Sequence, residues 1–372
     1  MQTLYLLDAY ALIYRAYYAL IRSPRINSKG QNTSAVYGFV NTLNDVLNTE
    51  KPDFIGIAFD PAGGTFRHEA YPAYKAQREA TPEDIKWAVP VIKDIIRAYN
   101  IPILEVPGYE ADDVIGTLAM KGREAGLEVH MVTPDKDYAQ LVKPGIFMRR
   151  PGHGASAMEK LGPDEVCQKY GISHTDQVID LLGLMGDTAD NVPGCPGVGE
   201  KTAVKLITQF GSIDNLLNST DQLKGAIKRK VEENKEQISF SKFLVTIKTD
   251  VPIDLNLDTL RTTEPNKEAL RPIYENLEFR AFLKKLDDKP VEVQKSVSEW
   301  GALFDAQTDN RADEPKEITH KTLNDMPHTY ILVDNESDAQ QLCEHLLTFS
   351  TVAIDTETTS IDAISAKLVG LS

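Results

Sequence analysis

Acidic residues recur at the ends of predicted strands and the starts of predicted helices, and their spacing could support metal chemistry. Asp8 follows the apolar run LYLL, and Asp60 follows FIGIAF. The other acids of this set are Glu110, Asp112 and Asp113 in GYEADDVIG, Asp135 and Asp137 in TPDKD, and Asp187 and Asp190 in GDTADN. Each acid alone is explained as a turn former or as a charge that offsets a helix dipole. The recurrence across five segments favours a shared site.

Carboxylates that converge repel one another, and cations between them keep them ionised together. A set of oxygen ligands without His or Cys favours hard ions, Mg²⁺ or Mn²⁺. Two such ions about 4 Å apart activate a water and stabilise the leaving oxygen of a phosphodiester. The pattern therefore predicts metal-dependent hydrolysis.

The elements that must position these acids are predicted from apolar periodicity. Residues 4–7, 54–59 and 127–132 are predicted to be buried strands, with helical patterns between them. Strand and helix in alternation predict an α/β fold, a parallel sheet with helices on both faces. Ligands bind such sheets at the carboxyl ends of the strands, so we expect four of the five acidic segments to meet at one edge.

Four segments are predicted along the chain. Residues 1–173 form the α/β domain, and 174–290 form a small all-α domain. Residues 291–327 are polar, charged and without apolar periodicity, which is typical of a linker. A new unit covers 328–372, and because the chain stops inside a predicted strand we expect it to be a truncated domain.

Composition limits the class of protein. Of the 372 residues, 42% are apolar, enough for ordinary buried cores. Cys167, Cys195 and Cys343 lack CxxC spacing, which excludes a disulfide framework and a structural zinc site and fits a reducing cytoplasm. Apolar runs stay below the ~18 residues of a membrane span. The net charge of −15 leaves nucleic-acid binding open, because acids gathered in one site leave basic residues elsewhere free for phosphates.

A glycine-rich turn, GCPGVGEKT at 194–202, opens a predicted helix. Glu200 breaks the spacing of a P-loop, but such a turn still directs backbone N–H groups toward an anion. A basic cluster in the same domain has a solvated helix face as an equally good explanation; it comprises Lys224, Lys228, Arg229 and Lys230.

Residues 67–78, RHEAYPAYKAQR, mix aromatic and basic side chains. Tyr74 and Arg78 are four residues apart, on one face of a predicted helix, with Lys75 beside them. Aromatic rings stack on exposed bases while cations hold phosphates, which suits a frayed single strand. The alternative is that Tyr71 and Tyr74 are packing residues.

The strings LYLLDAYALIYRAYYAL, FDPAGGTFRHEAYPAYKAQR, GYEADDVIGTLA, TPDKDYAQL and GDTADNVPGCPGVGEKTA resemble, in order and spacing, the 5′-nuclease family. That family includes the 5′-nuclease domain of bacterial DNA polymerase I, phage 5′-exonucleases and flap endonucleases. The resemblance covers roughly residues 1–290 and implies a PIN-like α/β domain followed by a helix–turn–helix domain. It implies a first metal site at Asp8, Asp60, Glu110, Asp112 and Asp113, and a second at Asp135, Asp137, Asp187 and Asp190.

The same resemblance identifies residues 67–78 as the helical arch that the 5′ strand passes through; we call them the arch segment. It implies that Lys75 and Arg78 lie near the scissile phosphate as catalytic residues. The DNA-contacting residues that it implies are Arg15, Arg67, Tyr74, Gly197, Gly199, Lys201 and Lys205, with K⁺ as a further ion at the glycine-rich turn. One departure is Ala9 after Asp8, where relatives usually carry glycine; it removes no ligand, so we expect activity to survive.

The implied function is a Mg²⁺-dependent 5′-3′ exonuclease and flap endonuclease, the nuclease part of a DNA polymerase I whose polymerase domain this chain lacks. Expected substrates are 5′ flaps, nicked or branched duplexes and RNA primer–DNA hybrids, in replication and repair. We expect a cytoplasmic monomer without membrane contact. A ribonuclease on a similar sheet leaves the glycine-rich turn and the arch segment unexplained, and a non-catalytic nucleic-acid-binding module leaves the acids unexplained.

Near the C-terminus, TVAIDTETT places Asp355 and Glu357 on one face of a predicted strand. This resembles the first motif of the RNase H-like 3′–5′ proofreading fold. The further carboxylates of that family come much later in the chain, so we expect both acids to be non-functional here.

Overall fold

A computed structural model describes residues 1–151, 158–287, 336–347, 356–358 and 368–371. The chain divides into two compact units, Met1–Ala306 and Gln307–Ser372. The first unit contains the sheet, the helical region and every residue of the predicted metal and DNA sites. Within the described ranges, no helix is long and apolar enough to cross a membrane.

A six-stranded sheet forms the centre of the first unit. Its strands are β1 (Thr3–Asp8), β2 (Phe54–Ala58), β3 (Ile103–Leu104), β4 (Glu128–Val132), β5 (Ile146–Arg150) and β6 (Glu159–Leu161). The spatial order is β3-β2-β1-β4-β5-β6, and every pair is parallel except β5 with β6. The three predicted strands are therefore β1, β2 and β4, neighbours at the middle of the sheet.

The register of the central strands brings their carboxyl ends to one level. Leu7 of β1 pairs with Ile57 on one side and with Val132 on the other. Residues that directly follow β1, β2 and β4 must therefore leave the sheet at the same edge, as the sequence predicts.

Alternate side chains of β1 enter two different hydrophobic cores. Leu4 and Leu6 belong to one core, and Tyr5 and Leu7 to the other. This period of two is what a strand buried on both faces requires, because successive side chains point to opposite faces. The predicted α/β fold, with helices covering both faces of a mainly parallel sheet, is confirmed.

The helices between and directly after the central strands supply most of the α/β layers. They are α1 (Ala9–Ala19), α2 (Ser34–Asp45), which continues as a π-helical turn (Val46–Glu50), α3 (Phe66–Ala70), α4 (Glu83–Ala98), α5 (Ala111–Glu124) and a 3-10 helix (Lys136–Leu141). Helices α1, α2 and α4 pack over Tyr5 and Leu7, and α5 packs over Leu4 and Leu6.

From Pro163 to Asp287 every named element is a helix. They are α6 (Pro163–Tyr170), α7 (Gln177–Met185), α8 (Glu200–Phe210), α9 (Ile213–Asn218), a 3-10 turn (Thr220–Gln222), α10 (Gly225–Glu233), α11 (Lys235–Val245), α12 (Leu257–Leu260), α13 (Lys267–Leu277) and α14 (Arg280–Asp287). Helices α7 to α11 share the core of α5. Helices α13 and α14 instead pack on the other face, where Phe279 and Phe282 contact Tyr37 of α2.

The second unit contains three described elements, α15 (Glu336–Leu346) and the antiparallel strands β7 (Thr356–Thr358) and β8 (Leu368–Leu371). Glu357 lies in β7, whereas Asp355 lies outside the described residues. The predicted linker at 291–327 also lies outside them.

Candidate active site

A cavity of about 950 Å³ opens at the carboxyl edge of the sheet. Eight of the nine predicted acids line it: Asp8, Asp60, Glu110, Asp112, Asp135, Asp137, Asp187 and Asp190. We call it the acidic cavity. The fifth segment, the loop with Asp187 and Asp190, comes from the end of α7 in the helical region, so this region completes the site.

Asp8 and Asp60 are held by backbone N–H groups at the starts of two helices. Asp8 ends β1 and accepts a hydrogen bond from the Ala11 N–H of α1 at 3.1 Å. Its other oxygen accepts from the Tyr138 hydroxyl at 2.9 Å. Asp60 accepts from the Ala111 N–H, at the start of α5, at 2.8 Å. Strand end and helix start thus fix both carboxylates at one place.

The loop between α7 and α8 is tight at both ends. Gly186 and Gly194 have φ of 72° and 61°, and a Cβ on either would lie 2.4 Å from a backbone atom of the other end. Only glycine fits both the conformation and the space. This closure projects Asp187 and Asp190 into the acidic cavity.

Several of these carboxyls are hard to ionise in the protein alone. Burial, with Asp60 and Asp135 nearby, raises the pKa of Asp8 to about 7. Burial, with Asp135 and Asp187, raises the pKa of Asp137 to about 8. The pKa of Asp112 also lies well above its ordinary value, mainly because of burial. The acidic cavity therefore has a deficit of positive charge.

One carboxylate oxygen is left without a partner. Asp137 Oδ1 is buried, and among the described residues it has no hydrogen-bond donor. A buried acceptor without a partner is costly, and a cation would satisfy it. Nevertheless, within the described part of the chain no three acidic, His or Cys side chains are already gathered as a metal-binding group.

Cations of the chain itself occupy other carboxylates. Glu110 accepts from Lys75 Nζ at 2.8 Å and from Arg67 at 3.0 Å. Burial pushes the pKa of Glu110 upward, but Lys75 and Arg67 outweigh it and hold this pKa below its ordinary value. Asp190 pairs with the Arg78 guanidinium, and Lys75 Nζ lies 3.8 Å from it.

Lys136 is a cation that sequence reasoning missed. Its Nζ lies 2.9 Å from Asp187 Oδ2. The sequence signal was its place between Asp135 and Asp137 in TPDKD. A lysine between two acids of the predicted site lies close enough to pair with another acid of that site, here Asp187.

The arch segment is docked on the loop that carries Asp190. The Lys75 N–H donates to the Asp190 carbonyl at 3.0 Å, and Asn191 Nδ2 donates to the Ala73 carbonyl at 2.8 Å. The predicted helical face through Tyr74 and Arg78 is wrong, because α3 ends at Ala70 and turns follow. Pro72 disfavours helix at the residue before it, and Lys75 has a left-handed φ of 57°.

Tyr74 does not have the exposure that base stacking needs. Its side chain is 4% exposed, and its ring packs edge-on against His68. Its hydroxyl donates toward Glu110 at 3.1 Å and Asp190 at 3.2 Å. The enclosed ring favours the packing alternative, and the role of Tyr74 as a DNA contact stays a prediction.

Arg67, which the sequence predicts as a DNA contact, has internal partners. It is 1% exposed, and its five N–H groups all have acceptors within the protein. Asp113, 0% exposed, accepts twice from this guanidinium at 2.8 Å and once from the Lys248 N–H at 2.7 Å. Asp113 lies outside the acidic cavity. Its geometry therefore favours a structural role, holding Arg67 and the backbone at Lys248, over the metal-ligand role that the sequence predicts.

The remaining predicted DNA contacts lie away from the acidic cavity. Arg15 is half-buried and donates to the Pro151 carbonyl at 2.9 Å. Gly199 precedes α8, and Lys201 and Lys205 are exposed on that helix. Gly197, with φ of 70°, has a carbonyl 3.4 Å from Lys230 Nζ. Their roles stay predictions.

Two family models match the chain over most of the first unit. The N-terminal resolvase-like domain of 5′-3′ exonucleases matches residues 3–171, and their C-terminal SAM fold matches residues 173–268. A 5′-3′ exonuclease from Aquifex aeolicus is 37% identical over 287 residues, covering 77% of this chain and 96% of that protein. The chain therefore belongs to the 5′-3′ exonuclease family, which confirms the resemblance found in its motifs.

Longer relatives share the same region. DNA polymerase I from Bacillus caldotenax is 38% identical over 340 residues, 90% of this chain and 38% of that protein. DNA polymerase I from Bacillus subtilis is 41% identical over 297 residues, 79% of this chain and 33% of that protein. The chain thus spans between about a third and two fifths of the polymerase relatives it matches.

Solved structures show the same fold at low sequence identity. The T5 5′-exonuclease with bound zinc aligns with a TM-score of 0.57 and 17% identity, over 75% of this chain and 99% of that one. The catalytic core of Rad2 in complex with DNA substrate aligns with a TM-score of 0.51 and 16% identity, over 77% and 92%.

Proposed function

We propose that this chain is a divalent-metal-dependent 5′-3′ exonuclease and flap endonuclease that hydrolyses DNA phosphodiesters. The observation that carries the proposal is the acidic cavity, where eight carboxylates from five segments converge at the carboxyl edge of the sheet. The membership of the chain in the 5′-3′ exonuclease family and the deficit of positive charge in the cavity support the proposal. A non-catalytic binding module would have no use for such a cluster.

The residues of the cavity fit hard divalent cations. All the donors are carboxylate oxygens, which favours Mg²⁺, with Mn²⁺ as the second choice. The unpartnered Asp137 Oδ1 and the raised pKa of Asp8 are what carboxylates suited to binding cations should show. Asp8, Asp60, Glu110 and Asp112 would hold one ion, and Asp135, Asp137, Asp187 and Asp190 another.

Bound divalent cations would lower the pKa of a water and neutralise the leaving oxygen. The protein's own contribution is to hold the ligands. Tyr138 and the Ala11 N–H orient Asp8, and the start of α5 orients Asp60. Lys75 and Arg78 pair with acids that would then hold cations, so their charges become available to a substrate phosphate in the same cavity.

The helical region would supply affinity rather than chemistry. Lys201 and Lys205 are exposed in the first half of α8, and Lys201 lies in the first turn, where free backbone N–H groups and a side-chain cation suit duplex phosphates. We propose these residues, with Gly197, Gly199 and Arg15, as phosphate contacts, and K⁺ as an ion of the glycine-rich turn. The proposed substrates are 5′ flaps, nicked or branched duplexes and RNA primer–DNA hybrids.

We further propose the domain division and cellular role implied by the motifs. The two nuclease domains would be residues 1–173 and 174–290. Helices α13 and α14, which belong to the second range, pack on the first domain. The boundary between the compact units, after Ala306, lies inside the proposed linker at 291–327. The RNase H-like assignment of 328–372 rests on the motif with Asp355 and Glu357. The proposed role is that of a cytoplasmic, monomeric nuclease part of DNA polymerase I, in primer removal and repair.

A 5′-labelled flap substrate tests the activity. We expect cleavage near the junction of duplex and single strand with Mg²⁺, loss of cleavage in EDTA, and recovery on adding Mg²⁺ back. A protein that binds the flap but leaves it intact at every metal concentration would refute the proposed function.

A further inference from the structure

We propose that Arg67 is a positioning residue that sets where the DNA is cut. It does so by joining α11 to the acids at the carboxyl edge of the sheet. The inference rests on the proposed function, since it concerns the distance between two proposed sites. One is the set of phosphate contacts at the glycine-rich turn (Gly197, Gly199, Lys201 and Lys205), which we call the grip. The other is the acidic cavity. Sequence reasoning placed Arg67 on the DNA, whereas its contacts are all internal.

The Arg67 guanidinium connects two regions that are far apart in the sequence. On one side it donates to Asp113 through both terminal nitrogens at 2.8 Å and to Glu110 at 3.0 Å. On the other side it donates to the carbonyls of Leu244 and Thr246, at 2.9 and 2.8 Å. Those carbonyls belong to the C-terminal end of α11, where backbone acceptors are left open and a cation is favourable.

Further hydrogen bonds fasten the same end of α11. Gln140, in the 3-10 helix beside Asp137, donates to the Val245 carbonyl and accepts from the Ile247 N–H, both at 3.0 Å. Asp113 accepts from the Lys248 N–H at 2.7 Å. The chain that leaves α11 is therefore fixed to both helices that carry cavity acids.

A second set of contacts, one to two turns earlier on α11, joins this helix to the glycine-rich turn. Gln237 Nε2 donates to the Gly194 carbonyl at 2.8 Å, and the Gly194 N–H donates to Ser241 Oγ at 2.9 Å. Gln237 and Ser241 are four residues apart and share a face of the helix. Helix α11, about 16 Å long at 1.5 Å per residue, thus connects the start of the glycine-rich turn to the Arg67 contacts, in addition to the loop closure at Gly186 and Gly194.

The chemistry of the joint requires arginine. Five N–H groups in a planar fork can serve two carboxylates and two carbonyls together, whereas lysine has three donors on one nitrogen. Arg67→Lys keeps the charge and leaves acceptors at the end of α11 unserved. Because successive base pairs are about 3.4 Å apart, a shift of this size between grip and cavity moves the cut by one nucleotide.

The test is the position of the cut, read at nucleotide resolution on a 5′-labelled flap with saturating enzyme and Mg²⁺. We expect one dominant product from the unaltered protein and products at two or more neighbouring positions from Arg67→Lys. The control is Arg149→Lys, which breaks a partly buried pair with Glu50 (2.8 Å) away from α11. It should lower Tm and keep the single product.

A second variant covers the case in which Arg67→Lys does not fold. Gln237→Ala combined with Ser241→Ala releases the other end of α11 from Gly194, and it should broaden the cut in the same way. A single unchanged product from every folded variant of the two would overturn the inference while leaving the proposed function intact. An unaltered protein that never cleaves would overturn the proposed function itself, and this inference with it.

Discussion

Lys75 Nζ lies 2.8 Å from Glu110 Oε1, so a cation of the arch segment holds a carboxylate that we assign to a metal. The pair is 20% and 6% exposed at its two side chains, so water screens it weakly. The same lysine lies 3.8 Å from Asp190, which belongs to the second group of acids. One side chain therefore joins the arch segment to both groups.

Lys75→Met removes this charge and keeps the aliphatic stem. Because a cation beside a scissile phosphate stabilises the charge of the transition state, we expect the single-turnover rate to fall about 100-fold. Flap affinity should stay within roughly threefold, since many phosphate contacts share it. Lys86→Met, on the exposed face of α4, is the control. Near-normal cleavage by Lys75→Met would show that Lys75 only closes the arch segment.

The acidic cavity should make the metal-free protein less stable as the pH rises. The pKa of Asp137 is about 8 in the folded protein, raised by burial and then by Asp135 and Asp187, against an ordinary 3.8. The folded state therefore binds this proton more tightly than the unfolded chain, so stability is lost between about pH 4 and pH 8. In EDTA at pH 8, Asp137→Asn should raise Tm by several degrees.

The gain from Asp137→Asn should shrink toward pH 4.5, where the native carboxyl is already protonated. It should also shrink in excess Mg²⁺, because cations bound to the native carboxylate stabilise only the folded state. A lower Tm than the unaltered protein at pH 8 in EDTA would contradict the charge deficit.

Asp113→Asn should act on stability rather than on metal binding. Removing the charge of Asp113 leaves the buried Arg67 with Glu110 as its remaining ion-pair partner, which costs up to about 3–5 kcal/mol in unfolding free energy. Urea denaturation measures this loss, and Asp94→Asn, whose pair with Arg97 is exposed, should change it by less than about 1 kcal/mol. Folded Asp113→Asn should retain Mn²⁺ affinity within roughly threefold. A large loss of Mn²⁺ binding would restore Asp113 as a ligand.

Lys201→Ala should weaken duplex binding with little change in the single-turnover rate at saturating enzyme. One fewer phosphate contact also lowers the slope of log affinity against log salt by about one. Titrations from low to moderate salt give both values, with Lys86→Ala as the control. An unchanged slope would mean that Lys201 is only a surface residue.

The convergence of the acids could be predicted from the sequence because it depends on local patterns. Runs such as LYLL and FIGIAF mark strands, and parallel order alone puts Asp8 and Asp60 at one edge. Arg67 could not be placed in this way, since its acceptors at Leu244 and Thr246 are about 180 residues away in the chain. The burial of Tyr74 could not be predicted either, because an aromatic side chain suits a base and a core equally well.

Cleavage of a 5′-labelled flap by the unaltered protein and by Asp8→Ala, each titrated with Mg²⁺, tests the acidic cavity most directly. Asp94→Ala, an acid exposed on α4, is the control. We expect Mg²⁺-dependent cleavage by the unaltered protein and the control. Asp8→Ala should lose at least about 1,000-fold in rate, with flap binding within an order of magnitude. Cleavage by Asp8→Ala at the rate of the unaltered protein would contradict a metal-dependent nuclease site in this cavity.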